Sequence, residues 1–153
     1  MSRPPKTPTH SEDPSESYPD IRKFLESIPY AQTLGVKPFF MGEEFTLILP
    51  YKRENIGNPT LPALHGGGVG GFMEVCAIAQ LFMGSKAENL SKPIGINIDY
   101  LRRGKPIETY ARADIFRQGS RVANVRVRAW QESYDSPIAT LHGHFLTAEG
   151  SAD

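Results

Sequence analysis

The sequence is poor in cysteine, has no excess of either charge, and contains no long run free of polar side chains. Cys76 is the single cysteine, so no disulfide forms within the chain and a multi-cysteine zinc site is excluded. Lys and Arg number 17, and Asp and Glu also 17. A neutral chain gives no bulk electrostatic reason to expect nucleic acid or an anionic membrane surface, and it leaves self-association open. The four histidines still permit a His/carboxylate site, but only His142 and His144 form a close pair, and a metal is not expected. The N-terminal stretch lacks the apolar segment of a secretory signal, and the expected location is cytoplasmic. The longest weakly polar run, 66–84, contains Glu74 and Gln80. A charge at mid-membrane depth is costly, so this run reads as a buried helix rather than a membrane span.

What is present fits one domain. At 153 residues and 39% hydrophobic composition the chain supplies one core, and no internal repeat divides it. Five prolines precede Asp20, so residues 1–18 read as a disordered tail. Residues 19–148 form the domain and 149–153 a frayed end. Ile21, Phe24, Leu25 and Ile28 lie at helical spacing, which predicts a short amphipathic helix from Asp20 to Ile28 that packs on a sheet edge and stops at Pro29. Residues 35–40 and 44–51 predict a hairpin, and 52–64 a loop. From Val69 to Met83 apolar residues cover most faces of a helix, the pattern of a buried one. About sixteen residues at 1.5 Å each span roughly 24 Å. Four long strands follow, near 93–101, 107–117, 121–131 and 137–147. Ala123, Val125, Val127 and Ala129 mark the core face of the third, and Asn124, Arg126, Arg128 and Trp130 the opposite face, solvated or at an interface. The architecture is α+β, with a long central helix wrapped by a curved antiparallel sheet.

Chemistry concentrates at Leu64-His65-Gly66-Gly67-Gly68-Val69-Gly70-Gly71-Phe72-Met73-Glu74. The first amides of a helix lack intrahelical acceptors, and glycines leave them uncovered to hold a carbonyl oxygen as charge develops on it. Tight helix packing is the plainer reason for such glycines. No lysine or hydroxyl follows them, so a nucleotide-phosphate loop is not expected, and the GxGxxG spacing at Gly66, Gly68 and Gly71 lacks the parallel strand unit it needs. Glu74 sits in an otherwise apolar helix, where burial raises a carboxyl's hold on its proton. That suits a general base or a nucleophile; an interface position or an arginine partner also accounts for it. Residues 102–128 carry eight basic residues against Glu108 and Asp114, suited to a phosphorylated ligand or to cross-strand ion pairs. Phe72, Met73 and Phe82 suggest an apolar pocket or simply core.

This pattern resembles the hotdog-fold thioesterases, in the branch of the phenylacetate-pathway and 4-hydroxybenzoyl-CoA enzymes. The shared features are His65-Gly66-Gly67 at the start of the central helix, Glu74 nine residues after the histidine, and Tyr100-Leu101-Arg102 closing a strand before a Gly turn, over about residues 30–148. The resemblance implies hydrolysis of acyl-CoA. The Gly66 amide would polarise the thioester carbonyl, with Glu74 as base or nucleophile and His65 orienting the loop. Gly67, Asn58, Phe72 and Met73 would border the substrate, and Arg102 and Arg103 would meet the CoA phosphates. It implies a homodimer joined edge to edge, paired again in some relatives as a tetramer, without metal, resident cofactor, nucleic acid or membrane. The sequence departs from the pattern at Pro59, where some relatives carry Asn, and at Pro93 and Gly95, where some carry Ser or Thr; both departures bear on water positioning. A non-catalytic acyl-CoA-binding protein and a structural oligomer using Glu74 for assembly are the competing readings.

Overall fold

In the computed structural model, residues 19–84 and 90–147 are described; the expected tail and frayed end lie outside them. The described residues start with two short helices rather than one, α1 (Pro19–Glu26) and α2 (Pro29–Leu34). Pro29 does not simply stop a helix. It opens the second at the first helical position, where its missing N–H costs nothing. Gly35 closes α2 in the left-handed conformation (φ 75°), its N–H reaching the carbonyls of Ala31 and Gln32. As expected, α1 lies against a sheet edge, the strand Lys37–Met41, and it also packs on the central helix, where Phe24 stacks on Phe82 with ring centroids 4.0 Å apart.

The hairpin is β1 (Lys37–Met41) and β2 (Glu44–Leu49), with Met41 opposite Glu44 and Gly42 supplying the positive φ that a two-residue turn needs. The segment expected as a loop holds one turn of 3₁₀ helix (Arg53–Asn55) and two short paired strands, β3 (Ile56–Asn58) and β4 (Ala63–Leu64). They deliver the chain into α3 (Gly66–Met83), which is 18 residues long and takes the glycines into its first turns. Four antiparallel strands follow: β5 (Lys92–Tyr100), β6 (Thr109–Gln118), β7 (Val122–Trp130) and β8 (Ala139–Leu146). The six-stranded sheet runs β1-β2-β6-β7-β8-β5. The chain therefore leaves β2, passes through α3, and re-enters the sheet at its far edge.

Alternation explains how the helix is covered. Ala111 and Ala113 of β6, and Ala123, Val125, Val127 and Ala129 of β7, are buried in one cluster with Val69, Phe72, Met73, Cys76 and Ala79 of α3. Small strand residues opposite large helix residues let the helix lie close to the sheet. Although α3 is long and apolar enough to cross a membrane by composition alone, most of it is buried in this core. The other sheet face carries a second cluster of Ile48, Tyr110 and Trp130, flanked by Phe39 and Tyr134. Trp130, on the face expected to be solvated or at an interface, is fully buried there within the chain, with the Tyr134 ring edge-on at 5.0 Å and the Arg112 guanidinium 5.8 Å from its ring centroid.

Candidate active site

His65 caps α3. Its ring Nδ1 accepts the Gly67 N–H at 2.9 Å, and its own N–H donates to the Asn55 carbonyl at 2.8 Å. An accepting Nδ1 places the ring proton of neutral His65 on Nε2. The Gly67 amide is thereby engaged by its own chain, which leaves Gly66 and Gly68 as the first-turn amides without a hydrogen-bond partner among the described residues, Gly66 at the very start of the helix. A neighbouring strap makes room for this turn: a methyl at Gly57 would lie 2.7 Å from the His65 Cα, a backbone contact that allows only glycine.

Tyr100, at the end of β5, fixes the same turn from the other side. Its hydroxyl donates to the Gly66 carbonyl at 2.7 Å, which holds the peptide at the helix start in place. The Tyr-Leu-Arg signal pointed to this strand but not to that bond. Glu74 lies two turns along α3 and is half-buried. Burial raises its carboxyl above the ordinary value of 4.5.

The remaining expected residues divide. Asn58 is exposed, and its Oδ1 accepts from the Thr60 and Leu61 amides at 3.0 and 3.3 Å, so it shapes its own turn. Phe72 and Met73 are fully buried in the core beneath the sheet. Arg102 donates Nη1 to the Pro137 carbonyl at 2.7 Å and Arg103 donates Nη1 to the Leu61 carbonyl at 2.9 Å; both remain exposed, with the rest of each fork available. Much of the basic stretch is engaged within the fold. Arg112 donates to Thr46 and Glu44, Arg126 lies over Phe116 and Arg128 over Tyr134. His142 and His144 face each other with ring centroids 5.8 Å apart, and among the described residues no group of three potential ligands gathers to hold a metal. Asn55, which the sequence did not single out, supports His65 through its carbonyl, and its buried Nδ2 has no partner among the described residues.

The acyl-CoA thioesterase N-terminal domain family matches residues 58–147, more than half of the chain. The chain belongs to this family. The match takes in the His65 cap, all of α3 and β5 to β8, so the thioesterase domain includes every residue of the site just described except the Asn55 and Gly57 strap. The fold is the hotdog fold of thioesterase-superfamily structures. A Chromobacterium violaceum protein of known structure is 30% identical, with 87% of this chain and 93% of that one covered and a TM-score of 0.70. A phenylacetic acid degradation-related protein of Ralstonia eutropha is 18% identical over 83% of this chain and 98% of its own, TM-score 0.70. A Bacillus halodurans protein solved with CoA is 18% identical over 90% and 95%, TM-score 0.69. At that identity the last two share the fold with the thioesterase domain. Among curated proteins none matches.

Proposed function

We propose that the protein hydrolyses acyl-CoA thioesters to the free acid and CoA. The observation that carries this reading is Glu74, a half-buried carboxyl with a raised proton affinity on the helix whose first turn offers the Gly66 amide. In this reading that amide donates to the thioester carbonyl oxygen, where negative charge grows as the carbon becomes tetrahedral. With Glu74 as base, it takes a proton from water as the water oxygen bonds to the carbonyl carbon. Collapse then breaks the C–S bond, and the proton passes to the departing sulfur. With Glu74 as nucleophile, its oxygen makes the new bond and water releases the acid from the resulting anhydride. His65 orients the turn and holds Gly67 out of the reaction. Arg102 and Arg103 meet the CoA phosphates through the free parts of their forks.

Gly66 and Glu74 are eight residues apart, about 12 Å along the helix axis. That spacing favours a site in which Glu74 reaches a substrate seated mainly against a second copy. β5 supports such an assembly. It is an edge strand of the sheet, its only charged residues are Lys92 and Asp99, and Ile94 and Tyr100 are each more than half exposed. A long edge of this kind invites pairing with another strand, and we assign it to the homodimer; pairing of dimers into a tetramer is the further step the resemblance implies.

The test is free-thiol release from aryl, short-chain and long-chain acyl-CoAs. Turnover of at least one member supports the hydrolase. Saturable binding of acyl-CoA with no thiol released would establish the binding protein instead.

A further inference from the structure

Two adjacent glycines, Gly70 and Gly71, interrupt α3 where helix propensity favours almost any other residue. Each makes room for a tyrosine from a different element. A methyl on Gly70 would lie 2.8 Å from Ile98 Cδ1 and 3.3 Å from the Tyr100 hydroxyl, on β5. A methyl on Gly71 would overlap Tyr30 Cε1 and lie 3.0 Å from the Tyr30 hydroxyl, on α2. Successive helix positions point about 100° apart. Glu74, four residues past Gly70 and three past Gly71, emerges one turn later in the sector between them. On the side of the helix that Glu74 occupies, Gly67, Gly70 and Gly71 thus lie against the rings of His65, Tyr100 and Tyr30. Tyr30 is 45% exposed and Tyr100 55%, so both stand at the surface.

The two rings are held differently. Tyr100 is tied by its hydroxyl to Gly66. The Tyr30 hydroxyl has no hydrogen-bond partner among the described residues, so its ring stays where it is by lying on the Gly71 backbone. There it lies between α2 and α3 over Gly71, one helical turn before Glu74. We propose that Tyr30 is a specificity-determining residue, covering the surface of α3 one turn before Glu74 and so limiting the length of acyl chain the site accepts. This rests on the thioesterase reading above.

The measurement is kcat/KM for butyryl-, hexanoyl- and decanoyl-CoA with wild type, Tyr30→Ala, Tyr30→Leu, Tyr30→Phe and Gly71→Ala. Each methylene newly admitted to an apolar groove is worth about fourfold in kcat/KM. Tyr30→Ala should raise the decanoyl-to-butyryl ratio by about tenfold or more, Tyr30→Leu should fall between it and wild type, and Tyr30→Phe should keep the wild-type ratio because the ring is retained. Gly71→Ala should lower the melting midpoint in the wild-type background and much less in the Tyr30→Ala background, where the added methyl meets no ring. A ratio unchanged in both active Tyr30→Ala and Tyr30→Leu overturns the proposal while leaving the hydrolase standing, as does an equal loss at all chain lengths. A wild type that releases thiol from none of an aryl, short-chain and long-chain panel removes the hydrolase, and the proposal with it.

Discussion

Replacing His65 by asparagine and by alanine separates capping from proton transfer. The His65 ring nitrogen accepts the Gly67 N–H at 2.9 Å at an exposed helix start, so the bond competes with water. Losing such a cap costs about 1 kcal/mol, or about 3–4 °C in melting midpoint for a domain of this size. Asparagine keeps an acceptor at the capping position and should cost only a few tenths of a kcal/mol. If His65 serves the site by shaping the turn that presents the Gly66 amide, activity follows the cap. His65→Asn should then keep kcat/KM within about threefold of wild type, whereas His65→Ala loses about tenfold, close to the factor that 1.4 kcal/mol represents. The assay is thiol release beside thermal unfolding of both variants. A folded His65→Asn protein that keeps its melting midpoint but loses activity by the roughly 10²–10⁴ of a missing acid–base group would refute the capping role.

Glu74 makes a paired pH prediction. Its folded-state proton affinity is raised by burial, so the folded state keeps the proton over a pH range where the unfolded chain has lost it. Folding stability contributed by this residue therefore falls as pH rises from the ordinary value of 4.5 through the raised one. Glu74→Gln should melt higher than wild type at pH 8, and the difference should close as pH is lowered toward 4.5. In wild type kcat/KM should fall with acid through a midpoint above 4.5, because both base and nucleophile require the carboxylate. Tyr100→Phe removes the 2.7 Å bond to the Gly66 carbonyl. It should cost about 1 kcal/mol in denaturant unfolding and lower kcat more than it changes KM. Cys76 is fully buried, and burial pushes its thiol up to about 12. It should resist thiol reagents in the native protein and react with one equivalent after denaturation, so it adds no background to thiol-release assays.

The sheet and the central helix were legible because their signals were periodic. Alternating alanines and valines in 121–131 set the core face of β7, and the all-round apolar pattern of α3 left burial as its only outcome. The first helix follows its apolar spacing to within two residues, but α2 was hidden because Pro29 carries two meanings, helix stop and helix first residue, and local sequence does not choose between them. Alternation puts Trp130 on its observed face but does not show its burial, because the pattern assumes one buried face, whereas this sheet buries aromatic residues on both. At the candidate site, spacing pointed to His65, Gly66 and Glu74. It could not show that Gly67 is already bonded to His65, nor that Phe72 and Met73 turn inward. The partners of Gly70 and Gly71 were hidden for a different reason. Tyr30 and Tyr100 lie roughly 40 residues before and 30 after them in the chain, and no local pattern records such a contact.

Thioester cleavage by Glu74 is tested most directly by comparing Glu74→Ala with wild type in thiol release, acyl-CoA binding and assembly state, on the same protein preparations. The expected result is a loss in kcat of about 10²–10⁴, with acyl-CoA still bound and the assembly unchanged. A Glu74→Ala protein that stays assembled and turns over at close to the wild-type rate would contradict a chemical role for Glu74, and one that falls apart into monomers without binding acyl-CoA would assign it to assembly.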